Sequence, residues 1–325
     1  MVFCLSILFS VNLALARQAT STGLIIFDRD REIIKTDLKT LDRTVLSKHG
    51  MQPVWFPDGT RIAFSDKPTI TGDRVKINTV IIDVTGKILR EISNDMFVED
   101  VDVDGTLLLQ DWHDWNGHSA IGVFDLNVSS EIYRMSPNQS WYSGWEFSCP
   151  KWEASSDSSF YFLVQKRNAV GLTIQILSCN FRLKTIRTMS SVTFEKTEFR
   201  NVDSVFDLAI APTGREVAIA ISGIFGKNHQ TQIFKMNIDG SNLQQLTAGS
   251  GTHEAPCWSP DGSEIMFNLD RSSDFNRLMS LWIMNADGSN QKRVFKQPYL
   301  FPLMFVADEY DARPQWIDYP HEKRN

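Results

Sequence analysis

The sequence predicts an all-β fold, a six-bladed β-propeller of four-stranded antiparallel blades, and three observations predict it. One phrase is written twice with few changes, VWFPDGTRIAFS at 54–65 and CWSPDGSEIMFN at 257–268. Weaker versions recur in register: with the large apolar residue before the turn as marker, the series runs Trp55, Val101, Trp152, Ile210, Trp258 and Trp316, in steps of 46 to 58 residues. A period of that length is the signature of propeller blades, because one four-stranded sheet cannot bury both faces until neighbours stack around an axis. Finally, Trp316 opens a sixth blade with nine residues left to build it, and the three strands it lacks are found near the N-terminus.

The elements follow in chain order. Residues 1–16, MVFCLSILFSVNLALA, are apolar, too short to span a bilayer comfortably, and end in the small-x-small pattern Ala14-Leu15-Ala16. This is the expectation of a signal peptide and of a periplasmic or extracellular protein. Residues 21–325 are then expected to form a single propeller domain. GLIIFD, EIIKTDL and TVLS supply the second, third and fourth strands of the blade that Trp316 begins, so the ring is closed by N-terminal strands completing the C-terminal blade. Closure of that kind leaves no free sheet edge.

Each remaining blade begins with an apolar run ending at its marker, then a reversal such as Pro-Asp-Gly. There Pro presets φ, Asp bonds local amides and Gly takes the left-handed position. RIAFS, TLLLQ, FYFLV, EVAIA and EIMFN are the second strands, rich in the β-branched and aromatic residues that suit a sheet. IFKMNIDGSN and LWIMNADGSN end third strands in the hairpins Asp239-Gly240 and Asp287-Gly288, and NLQQLT and NQKRVF make fourth strands. The marker tryptophans Trp55, Trp152, Trp258 and Trp316 are expected to wedge between blades, each buried ring contributing about 2–3 kcal/mol by area. That structural work excludes them from the expected active site.

Bulk properties narrow the partners. With net charge −6, a pI near 5.6 and no Lys/Arg-rich run, nucleic acid is not expected. After Ala16 no segment is long and apolar enough to span a membrane. Removal of the leader would leave Cys149, Cys179 and Cys257, an odd count that indicates small buried hydrophobes rather than a disulfide framework. Asn127 and Asn138 begin formal glycosylation sequons.

The phrases PVWFPDGTRIAFS and APCWSPDGSEIMF, the two Asp-Gly-Ser-Asn hairpins, Leu246-Thr247 and the looser APTGREVAIAIS resemble the TolB-type propeller repeat. The resemblance implies six blades, an exported location and partner-protein binding at the loop-bearing face. TolB itself carries a separate α/β domain before its propeller, for which this chain has no room, and that departure puts a Tol-Pal role in doubt.

By the register, short turns share one face. The long connections lie on the other, at 47–52, 66–74, 93–98, 111–119, 136–149, 166–171, 191–205, 223–230, 247–255, 270–279 and 296–313. Long loops on a rigid scaffold carry binding groups. DWHDWNGHS and SPNQSWYSGWEF put Trp112, His113, Trp115, His118, Trp141, Tyr142 and Trp145 on neighbouring blades of that face. Aromatic rings beside Asn, Asp and Gln suit a peptide or a sugar, and equally suit a self-packed cap over the channel. His49, His229 and His253 fall in the same set of loops, and His253-Glu254 begins an inner strand that could face the channel. No nucleophile elbow, phosphate loop or compact metal motif is present, so no catalytic or metal-ligating residue is assigned. The expected function is a non-enzymatic binding or scaffold protein for a protein, peptide or glycan, without a cofactor. The alternative is a metal-dependent polysaccharide lyase or hydrolase using a His cluster at the pore mouth.

Overall fold

The computed structural model describes residues 23–29, 32–66, 69–71, 74–113, 119–136, 146–154, 156–196, 200–225, 228–271, 278–295, 299–300 and 314–318. All regular structure among them is β, arranged as six four-stranded antiparallel blades with the short strands Thr69–Thr71 and Tyr299–Leu300 added to the third strands of blades 1 and 5. Blade 1 runs Met51–Trp55, Arg61–Ser65, Arg74–Asp83 and Ile88–Asn94 from axis to rim; blade 2 runs Phe97–Val101, Leu107–His113, Ser119–Asp125 and Ser130–Met135. Blade 3 is Glu146–Trp152, Ser159–Arg167, Gly171–Asn180 and Thr185–Glu195. Blade 4 is Arg200–Ile210, Glu216–Phe225, Asn228–Asn237 and Gln244–Gln245, and blade 5 is Thr252–Trp258, Glu264–Asp270, Leu278–Asn285 and Lys292–Arg293. Blade 6 is the expected composite: Gln315–Ile317 pairs with Leu24–Arg29, followed by Glu32–Asp37 and Arg43–Ser47. Each inner strand packs on the next, and the sixth returns to the first, so the ring is closed.

The repeated turns form through their own side chains. Asp58 Oδ1 accepts the Thr60 amide at 2.8 Å, Asp261 Oδ1 accepts the Ser263 amide at 2.9 Å, and Gly59 and Gly262 follow at φ 66° and 74°. Asp239 and Asp287 repeat the device at the outer hairpins, bonding the Ser241 and Ser289 amides at 2.9 Å. A carboxylate that caps the amide two residues on fixes the reversal and leaves Gly the left-handed position.

The core is not central but divided among the six seams between blades. Trp152 packs with Phe160 and Phe162 of its own blade against Leu107, Leu109, Ile121 and Val123 of blade 2. Trp258 does the same against Ala211, Ala218 and Ile233 of blade 4, and Trp55 against Ile26, Ile33 and Leu46 of blade 6. Trp316 packs against the cluster that joins Ile25 and Phe27 to Met266 and Leu281 of blade 5. The wedge role is thus observed for all four marker tryptophans.

Strand lengths depart from expectation in two ways. The segments 166–171 and 223–230 are tighter than long loops, because pairing persists to Arg167↔Leu172 and Phe225↔Asn228; flanking residues with high β propensity extend the ladder. The fourth strands of blades 4 and 5 shrink to two residues each, although Leu246 and Phe295 just beyond them are buried in the seams. The Leu-Thr pair that ends NLQQLT ties the rim back to the sheet, where Thr247 Oγ1 accepts the Ile233 amide at 2.9 Å and donates to Gln232 Oε1 at 2.7 Å.

Candidate functional site

The inner strands are bent by a shared device. In blades 1, 3 and 5 the register slips three residues before the marker, at Met51/Val54, Ser148/Lys151 and Glu254/Cys257, and Gln52, Cys149 and Ala255 each take φ 52° within the slip. Bulges re-aim the side chains that follow them. In five of the six blades the residue just before the marker lines one cavity of about 260 Å³: Asp100, Lys151, Ala209, Cys257 and Gln315. Trp152, Trp258 and Trp316 form part of its wall, and Ala154, Pro212 and Pro260 place it at the short-turn end of the channel. Trp152, Trp258 and Trp316 therefore serve both the seams and the channel wall.

The charged groups in this cavity are held by the blades themselves. Lys151 Nζ donates to the Glu99 carbonyl at 2.8 Å and sits 3.5 Å from Glu99 Oε2. Asp100 accepts the Trp152 amide at 2.9 Å through Oδ2 and the Val101 amide at 2.9 Å through Oδ1. Burial pushes the Asp100 carboxyl above the usual carboxylate range, against the opposing pull of Lys151 and those amides. Asp207 accepts the Ala255 amide at 2.8 Å from the neighbouring blade. Burial also pushes the Cys257 thiol up to about 12, so it is a poor nucleophile at neutral pH. Cys149 and Cys179 are buried thiols, in keeping with the sequence reading of small core residues.

Some of the site residues expected from the sequence lie among the described residues. His253 is 2 % exposed, its Nδ1 3.2 Å from the Thr231 carbonyl and its ring 5.8 Å from that of Phe267. Desolvation lowers its pKa, which makes it a neutral core histidine. Neither His253 nor Glu254, also buried, lines the channel cavity; the bulge that begins after Glu254 directs the strand differently from simple alternation. His229 lies on a strand rather than in a loop, exposed, with Nε2 2.7 Å from Asp203 Oδ2. His49 is exposed at the end of its turn. Trp112 and His113 close the strand Leu107–His113, while Trp115, His118, Trp141, Tyr142 and Trp145 lie outside the described residues, as does the expected signal peptide at 1–16. Among the described residues no three His, Cys, Asp or Glu side chains group as a metal site, and no helix is long and apolar enough to cross a membrane.

One contact bears on the aromatic loops. The Phe147 amide donates to Ser119 Oγ at 3.2 Å. Ser119 directly follows residue 118 in sequence and Phe147 lies two after residue 145, so the bond joins described residues of blades 2 and 3 at one seam on the long-loop side.

The aromatic loops were singled out from the sequence by composition. The channel charges were not, although the polar letters in VEDVDVDG and CPKW, inside otherwise apolar inner strands, were a usable signal.

Comparison with known proteins places the fold. No protein-family profile matches the chain. The crystal structure of TolB from Acinetobacter baumannii superposes with a TM-score of 0.58 at 17 % identity, covering 91 % of this chain and 67 % of that one. A structure assigned as TolB from Agrobacterium tumefaciens gives 0.57 at 16 % identity, covering 84 % and 88 %. By sequence, an uncharacterized Agrobacterium fabrum protein is 36 % identical over 100 residues, and the dipeptidyl-peptidase 5 of Porphyromonas endodontalis is 30 % identical over 112. Those matches span 31 % and 16 % of the two relatives' lengths. The chain has the TolB-type propeller fold.

Proposed function

We propose that the protein is an exported, non-enzymatic binding propeller that holds a protein, peptide or glycan at its long-loop face. The residues assigned to this role are Trp112, Trp115, Trp141, Tyr142 and Trp145, with His113 and His118 beside them. The observation that supports the reading is the Phe147 to Ser119 hydrogen bond, which joins the strands that follow the two aromatic stretches in sequence across a packed seam. Aromatic anchors flanked by polar side chains suit extended polymers. The metal-dependent lyase or hydrolase gains no comparable support: His253 is enclosed beside Phe267, and His229 is occupied by Asp203.

The test is a peptide and glycan array probed with the purified chain and with Trp112→Ala, Trp141→Ala and Trp145→Ala. Loss of the wild-type hits, with melting temperature within about 2 °C, supports the reading, since surface truncations leave stability nearly unchanged. Hits that survive all three substitutions overturn it. Stoichiometric metal that is lost together with activity on a polysaccharide would establish the enzymatic alternative.

A further inference from the structure

We propose that the outer hairpins of blades 6, 1, 2 and 3 form a surface that docks on an anionic lipid bilayer. The surface is at the short-turn end of the ring, opposite the long-loop face, and does not depend on the assignment made there.

The four hairpins are continuous because each one laps onto the fourth strand of the blade before it. Gly86 of blade 1 sits so close to Leu46 of blade 6 that an added Cβ would stand 2.5 Å from the Leu46 carbonyl oxygen. Arg90 of blade 1 donates to the Leu126 carbonyl at 2.6 Å and to Ser129 Oγ at 2.5 Å in the hairpin of blade 2. Tyr133 of blade 2 packs on Phe181 in the hairpin of blade 3, their ring centroids 6.0 Å apart. Alternating strand direction puts all of these hairpins at one end of the ring, so they make a single tiled arc.

The arc gathers apolar side chains that stand in water. Ten large apolar residues are exposed among the described residues, and seven of them are here: Leu41 and Val45 on blade 6, Ile88 and Leu89 on blade 1, Val128 and Ile132 on blade 2, and Leu183 on blade 3. Val128 and Leu183 lie in the turns themselves, 63 % and 72 % exposed. The equivalent turns of blades 4 and 5 read IDGSN and ADGSN and are polar. Apolar residues exposed singly need no partner, but a group of them on one surface marks an interaction face.

Charge selects the partner. The segments 38–43, 84–90 and 181–187 carry Lys39 and Arg43, Lys87 and Arg90, and Arg182, Lys184 and Arg187 against Asp42 alone, in a chain of net charge −6. Asp37 and Asp83, which precede the first two segments, accept the Lys39 and Thr85 amides of their own turns at 2.8 Å. Arg182 lies 3.5 Å from Asp157, a solvated pair, while Lys39, Lys87, Lys184 and Arg187 are exposed. Aliphatic side chains interleaved with cations match the boundary of an anionic bilayer, where the first enter the acyl region and the second meet lipid phosphates. A second copy docked on the same arc would set cation against cation, which opposes self-association there.

The experiment measures cosedimentation of the whole purified chain with vesicles of phosphatidylglycerol and phosphatidylcholine in equal parts, and with phosphatidylcholine alone, at low and high salt. Binding to the anionic vesicles is expected, weakened several-fold by salt, with none to the neutral ones. Leu183→Asp and Val128→Asp should each weaken it by about tenfold and Lys184→Glu by about fivefold or more. Val170→Asp, at an exposed apolar residue in the hairpin between the second and third strands of blade 3 and so at the long-loop end, should leave it unchanged. All four positions are exposed, and thermal melts confirm that the variants stay folded. Absence of binding to anionic vesicles, equal binding to neutral ones, or an equal loss in Val170→Asp and Leu183→Asp overturns the proposal. So does a dimer in solution that Leu183→Asp dissolves while vesicles stay unbound, which would make the arc a contact between copies of this chain.

Discussion

The Asp207 carboxylate on the inner strand of blade 4 accepts the Ala255 amide of blade 5 at 2.8 Å, at the point where that strand bulges. The same arrangement recurs two blades earlier, where Asp100 accepts the Trp152 amide at 2.9 Å. Other seams use side chains of the second strand instead, Ser65 taking the Val98 amide at 3.0 Å and Gln165 the Val205 amide at 2.8 Å. Amides freed from the ladder at irregular inner strands are thus satisfied from the preceding blade. Removing such an acceptor leaves a buried donor unpaired, which costs about 1–3 kcal/mol. Asp207→Ala should lose that amount in denaturant unfolding, and Asp207→Asn, which keeps an acceptor, clearly less. Equal losses would mean that the bond contributes only through charge.

Trp258 combines seam packing with an indole bond to the Ala209 carbonyl at 3.2 Å. Trp258→Ala should cost about 3–5 kcal/mol, while Trp258→Phe, which keeps a ring in the seam, should cost far less. Leu183 is 72 % exposed at a rim hairpin, and Leu183→Ser should stay within about 0.5 kcal/mol of wild type. Chemical denaturation of the three variants checks the ranking.

Two aspartates should show opposite pH signatures. Burial raises the Asp100 pKa, so the folded state holds that proton more tightly than the unfolded chain; its contribution is full below the unfolded value near 3.8 and is lost as pH rises through the raised value. Asp100→Asn should therefore gain in melting temperature relative to wild type as pH rises above the unfolded value near 3.8. Asp261 is lowered by the Ser263 amide and by the Ser259 and Ser263 hydroxyls, so its contribution is present above 3.8 and disappears as pH falls through the lowered value. Asp261→Ala should be destabilised by about 1 kcal/mol at pH 7 and converge on wild type in acid. Differences independent of pH would remove burial and turn bonding as the causes.

Ala255 occupies the left-handed region at φ 52°. That conformation costs an L-residue about 1–2 kcal/mol, and a β-branched side chain more. The order of stability at this position should be Gly at least equal to Ala, and Ala well above Val, measured by thermal melts. A Val variant as stable as wild type would show that the bulge can slide along the strand.

Much of this architecture was legible because its instructions are local. Pro57-Asp58-Gly59 and Asp287-Gly288 specify turns through the covalent geometry of three residues, and the marker tryptophans announce the seams by size. Closure was legible by subtraction, Trp316 lacking strands that Gly23 to Ser47 could supply. The channel was not, because its lining depends on which way each inner-strand residue faces, and the bulges after Met51, Ser148 and Glu254 break the two-residue alternation by which facing is read. The same break is why His253 is enclosed beside Phe267 and Cys257, four positions on, reaches the axis. The extent of strands at Arg167 and Phe225 was illegible for a different reason: polar residues on the solvent side of a ladder look like loop.

Leu24 pairs with Ile317, 293 positions away. During synthesis, the blade that contains the earliest described strand must wait, with one edge bare, until the strand Gln315–Ile317 has been made. The last step of folding is therefore a fastening event between the two extremities of the described chain, and until it happens the other blades form an open arc with unpaired edges at its ends. Contacts of such long range form slowly, and bare edges invite pairing with other chains. A ribosome that stalls before Gln315 releases an aggregation-prone arc, while a chain that has reached Ile317 can close the ring.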